Sequence, residues 1–147
     1  MHQKYRNSVV IFFIWKSIAE YLKKTKARFL FGCSSITTLN PYNAFILYQY
    51  LKEKNYLKPN SYIFPKTDFH SQELEDIINE QEGALKSSEV ESAKYLLPSL
   101  MKSYFDMGSY TPCLPAFDRD LNCIDFLTIL DVENLNARMA RKTNFTR

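Results

Sequence analysis

Arg6, Asn7 and Ser8 stand directly ahead of a long apolar-periodic stretch. A helix starting there aims free N–H groups and the positive end of its dipole at the turn, and Arg6 adds a formal cation. That combination suits an anion such as a phosphate. The same residues also suit an ordinary capped helix with a solvated arginine, since Asn and Ser side chains accept from free backbone N–H groups at helix starts.

A second set of candidates is acidic. Asp118 and Asp120 flank Arg119 in a turn-like stretch, where paired carboxylates hold a cation or an amine, or simply cap the turn through backbone bonds. Asp125 is embedded in the apolar run CIDFLTIL. An acid inside a strand needs a partner if it faces inward, and Arg119 or a substrate ammonium would serve. Cys33, Cys113 and Cys123 form no CxxC pair, and His2 and His70 offer no ligand spacing, so no metal is expected. An odd cysteine count without a secretion signal points to reduced thiols in a cytoplasm.

These residues depend on the elements that carry them. The stretch from Asn7 and Ser8 to Lys24 has broad apolar and polar faces at helical spacing, with Ile11, Ile14, Trp15, Ile18, Ala19 and Leu22 on the apolar side. Phe29, Leu30 and Phe31, ended by Gly32, read as a strand buried on both faces. Lys23, Lys24, Lys26 and Arg28 lie between the two. They form either a solvated helix end or a small patch facing lipid headgroups. Asn40 and Pro41 start a helix at 42–54 with Ala44, Leu47, Tyr48 and Leu51 on one face.

Residues 55–88 read as an insertion between core elements, with a solvated acidic helix at 73–82. Helices follow at 89–95 and 98–107, the latter opened by Pro98 and closed by Gly108. Residues 110–115 are extended, because each proline biases its predecessor away from helix. Residues 117–122 read as a turn, and 124–130 as a strand. The basic tail 134–147 lacks a pattern.

The chain has 147 residues, 46% hydrophobic and 24% charged, with a net charge of +3. It suits one globular domain, 1–133, of α/β (α+β) class. The mild charge and the absence of aromatics interleaved with a basic patch argue against nucleic acid. The run 9–15 is too short to span a bilayer and has no cleavage signal.

HQKYRNSVVIFFIWKSIAEYLKK followed by FLFGCSS resembles the acyl-donor-binding unit of the GNAT acyltransferase superfamily. It is most similar to the haemolysin-like branch that contains the ornithine-lipid N-acyltransferases. LPSLMKSYFDMGSY, PAFDRDLN and DFLTIL resemble that branch's C-terminal half, in order. Residues 40–51 are similar to the superfamily's N-x-x-A-x-x-x-Tyr helix, with Ala44 and Tyr48 in register.

The resemblance implies a GNAT-like mixed sheet with flanking helices, lacking the family's N-terminal strands. A lost coding start or a second chain would account for those strands. It also implies transfer of a fatty acyl group from acyl-carrier protein or coenzyme A to an amine such as an amino acid. Arg6, Asn7 and Ser8 would hold the donor's phosphate-bearing arm, and Tyr48 would protonate the leaving thiolate. Asp118, Asp120 and Asp125 are the candidates for the acceptor's ammonium, and Cys33 is expected to pack in the strand. No cofactor besides the donor is expected, and the location is cytoplasmic with peripheral membrane contact. Two alternatives stand beside this reading: an inactive or partner-requiring fragment of such an enzyme, and a peripheral membrane-binding protein.

Overall fold

The computed structural model describes residues 8–81 and 83–135. Asn40 sets the first boundary that matters: its side-chain oxygen accepts from Tyr42 N–H at 2.9 Å, and Pro41 fills the first helical position. The helix that follows, Pro41–Glu53, is the third element of the chain. In order the elements are α1 (Ser8–Thr25), β1 (Phe29–Ile36), α2 (Pro41–Glu53), α3 (Gln72–Glu80), α4 (Ser87–Leu96), α5 (Ser99–Asp106), β2 (Ala116–Asp118) and β3 (Cys123–Asp131), with 3-10 turns at Thr67–Phe69 and Val132–Asn134.

The strands form one sheet in the order β1-β3-β2, and both pairings are antiparallel. The fold is therefore α+β. The expected mixed sheet is not what these strands build. Among the described residues, parallel pairing is confined to an isolated bridge between Leu57 and Thr111. Residues 117–122, expected as a turn, divide: Phe117 and Asp118 end β2, and the turn itself begins at Arg119. Asn122 takes φ 53° there, a left-handed conformation that asparagine tolerates in turns.

Period-two alternation gives the sheet two unlike faces. Ile36, Ile124, Phe126, Leu130 and Phe117 are buried on one side, joined by Ser34 and Thr128, whose hydroxyls hydrogen-bond at 2.9 Å. The other side carries Phe29, Phe31, Cys33 and Ser35 opposite Asp131, Ile129, Leu127 and Asp125. Phe29 is 47% exposed and Phe31 72%. The expectation that β1 is buried on both faces is corrected here. A run of three apolar residues cannot by itself reveal that its strand lies at a sheet edge, with alternate side chains turned to solvent.

Helix α2 is buried on nearly all sides. Ala44, Leu47 and Leu51 are fully enclosed, as their spacing predicts, but Phe45, Ile46, Gln49 and Tyr50 are buried too. The reason is that α3 and α4 pack against it, in addition to the sheet. Leu74 of α3, 1% exposed, joins the same cluster as Phe126 and Ile36, so the acidic helix is amphipathic and docked by one stripe. Helix α5 closes the other end, where Phe105 stacks on Tyr56 with ring centroids 4.7 Å apart. Helix α1 rests on a separate small cluster: Ala19 and Leu22 pack with Trp15, Ile18, Val132 and Leu135, and Trp15 meets Tyr104 edge-on at 5.4 Å.

Candidate functional site

The candidate residues fall into three places. Arg6 and Asn7 lie outside the described residues, and Ser8 is the first residue of α1. Tyr48 is on α2. Asp118, Asp120 and Asp125 belong to the β2–β3 hairpin.

Tyr48 is half-buried against the main core. Burial pushes its phenol pKa up, and the nearby Cys113 sulfur adds to the effect. Cys113, in the extended stretch before β2, is itself raised by burial and then by Cys33. Cys33 is raised by burial and then by Asp125. None of the thiols is activated, because each is pushed toward its protonated form. Cys33 is nonetheless exposed, so the expectation that it packs within the strand is corrected.

The carboxylates separate by role. Asp118 accepts from Leu121 N–H at 2.8 Å and so caps the hairpin turn. Asp120 is exposed at the tip of that turn. Asp125 accepts a short hydrogen bond from Ser35 Oγ, across the β1–β3 pairing, at 2.5 Å. The Cys123 thiol also donates to Asp125, at 3.6 Å. Asp118 and Asp125 share one sheet face with Cys123 between them in sequence, and both raise the Cys123 pKa, after burial. Two of the three candidate acids therefore converge, while Asp120 stays apart.

Arg119 does not pair with Asp125. Its guanidinium donates to the carbonyls of Asp68 at 2.9 Å and His70 at 3.5 Å, pinning the 3-10 turn to the hairpin. Ser35 is the neighbour that sequence reasoning missed. Ser35 is 90 positions from Asp125, and only the strand register brings the two together.

Among the described residues, no group of three or more His, Cys, Asp or Glu is arranged to hold a metal ion. No helix there is long and apolar enough to cross a membrane. Comparison with protein-family models, with curated proteins and with solved structures gave no match.

Proposed function

We propose that this protein is an acyltransferase unit that moves a fatty acyl group from a carrier thioester, on acyl-carrier protein or coenzyme A, to an amine such as that of an amino acid. The observation that supports the reading is Tyr48, a half-buried phenol packed against the core on the helix that follows β1. The order helix, strand, helix around it is the order in which the chain resembles the GNAT superfamily.

The chemistry is a direct exchange. The amine nitrogen attacks the thioester carbon, a C–N bond forms, and the C–S bond breaks. The bound ammonium first gives one proton to solvent to free the nitrogen lone pair, and the nitrogen loses a second after attack; the departing thiolate takes the Tyr48 proton, and the phenolate is reprotonated from solvent. An α-amine with a pKa near ~8 is mostly ammonium at neutral pH, so a carboxylate that binds it also positions it. Asp125, fixed by Ser35, and Asp118 supply that charge on one face. Arg6, Asn7 and Ser8 are the proposed holders of the donor's phosphate-bearing arm.

The test is to offer the protein acetyl and long-chain acyl thioesters of coenzyme A and acyl-carrier protein with a panel of amino acids, and to measure amide formation. Long-chain amide is expected. Transfer of acetyl alone, or to a lysophospholipid hydroxyl in preference to every amine, would overturn the assignment.

A further inference from the structure

The formal charge of the chain is unevenly placed. Residues 1–28 hold seven lysines and arginines against one acid, Glu20, and residues 136–147 hold four against none. Residues 29–135 hold eight against fifteen acids. The cations in excess therefore belong to α1 and the two segments that flank the described residues, while the rest of the fold is acidic. Arg28 is committed to Asp131 and Glu133. Lys16, Lys23 and Lys24 of α1 and Lys26 just after it are exposed. Among the described residues none of these four joins an ion pair, whereas Lys94 and Lys102 on other helices pair with Glu91 and Asp106.

α1 turns Ala19 and Leu22 inward, onto Val132 and Leu135. Ile14, Ser17, Tyr21 and Lys24 follow one another at helical spacing along its exposed side, so apolar groups lie among the lysines. Residues 1–7 and 136–147 contain no acid to neutralise this face, and their own cations repel it. The basic tail also starts beside it, because Leu135 packs on the α1 cluster. We propose that this side of α1 docks on the surface of an anionic lipid bilayer, with the helix lying along the interface. The lysines take the headgroup charge, and Ile14 and the ring of Tyr21 enter the boundary between headgroups and acyl chains. A nucleic acid would match the lysines and leave Ile14 without an apolar partner. The helix does not cross the bilayer, being neither long nor apolar enough. The docking rests on the charge distribution and not on the acyl-transfer reading, and it stands if that reading fails.

The test is cosedimentation of the purified protein with vesicles of phosphatidylcholine alone, and of phosphatidylcholine mixed with phosphatidylglycerol. Binding is expected to the anionic vesicles, falling with added salt as the charges are screened. Lys23→Ala combined with Lys24→Ala should weaken it about tenfold or more. Tyr21→Ser should weaken what persists at high salt, and Lys102→Ala should leave binding unchanged. All of these side chains are exposed, so each variant should melt like wild type. The wild-type comparison of the two vesicles does not depend on any variant. Equal binding to neutral vesicles, or binding to neither, would overturn the proposal. So would wild-type affinity in the double lysine variant, which would place the contact on the tail. Tighter binding to polyglutamate or duplex DNA than to anionic vesicles would overturn it as well.

Discussion

Arg28 grips Asp131 with two nitrogens, Nη2 at 3.0 Å and Nε at 3.3 Å from the carboxylate oxygens, and so ties the start of β1 to the end of β3. The pair sits at the end of the register in which Phe29 lies opposite Asp131. Val132 N–H closes the same corner by donating to the Arg28 carbonyl at 2.8 Å. Asp131 also accepts from Glu133 N–H and from Asn134 Nδ2, so one buried carboxylate organises the turn after β3.

The first prediction follows from that carboxylate. The Arg28 guanidinium, helped by the Glu133 and Asn134 donors, holds the Asp131 pKa below the usual range against the opposing effect of burial. A folded pKa below the unfolded value, near ~3.9 for aspartate, stabilises the fold above that unfolded pKa. The stabilisation is lost as pH falls through the folded value. Melting temperature measured from pH 7 down to pH 2 should fall on the acid side, and Asp131→Asn should lower it at pH 7 while flattening the acid limb. Parallel acid limbs in the two proteins would show that Asp131 contributes nothing there.

Thr111 offers a prediction of the opposite sign. It is fully buried, and its Oγ1 has no hydrogen-bond partner among the described residues. A buried hydroxyl left unpaired costs about 1–3 kcal/mol. Thr111→Val keeps the β-branched shape and removes the hydroxyl, so it should raise stability by roughly 1 kcal/mol in a denaturant titration. A loss of stability would mean that the hydroxyl is satisfied in solution.

Phe126 is the largest of the fully buried side chains. It comes from the central strand, where no neighbouring edge can relax into the space it fills. Phe126→Ala should cost about 3–5 kcal/mol, a large part of the roughly 5–15 kcal/mol that holds a domain together. Chemical denaturation should show either a much lower midpoint or no cooperative transition. A midpoint near wild type would contradict a single core shared by the sheet and α2.

Tyr48→Phe separates chemistry from packing. It deletes one oxygen and leaves the ring against the core, so melting should change little. If the phenol supplies a proton needed only at the transition state, turnover should fall about tenfold to a hundredfold while thioester affinity is unchanged. Equal losses in affinity and turnover would make Tyr48 a binding residue. An unchanged rate would remove it from the chemistry.

Much of the element order is legible in the residues. Asn40 with Pro41, Pro98 with Gly108, and the periodic stretch from Ser8 each carry local start or stop chemistry, and each element forms where that chemistry puts it. Such signals act over a few residues, through main-chain bonds and side-chain spacing. The strand at Cys123–Asp131 was equally plain, from its β-branched and aromatic run. Which strand lies at an edge is a different kind of fact. Phe29 and Phe31 look interior because they are apolar, and only the order β1-β3-β2 turns them to solvent. The same order joins Ser35 to Asp125 and turns Arg119 toward Asp68 instead of Asp125. Local propensity determined the helices and the central strand. It did not determine β2, which falls partly in a stretch expected as a turn, nor the run of β1 through Gly32 to Ile36, where the expected end at Gly32 is corrected by the pairing with β3. Their neighbours, and hence which polar groups meet, were decided by how apolar faces could be buried together across 51 positions of chain for Arg119 and Asp68 and 90 for Ser35 and Asp125.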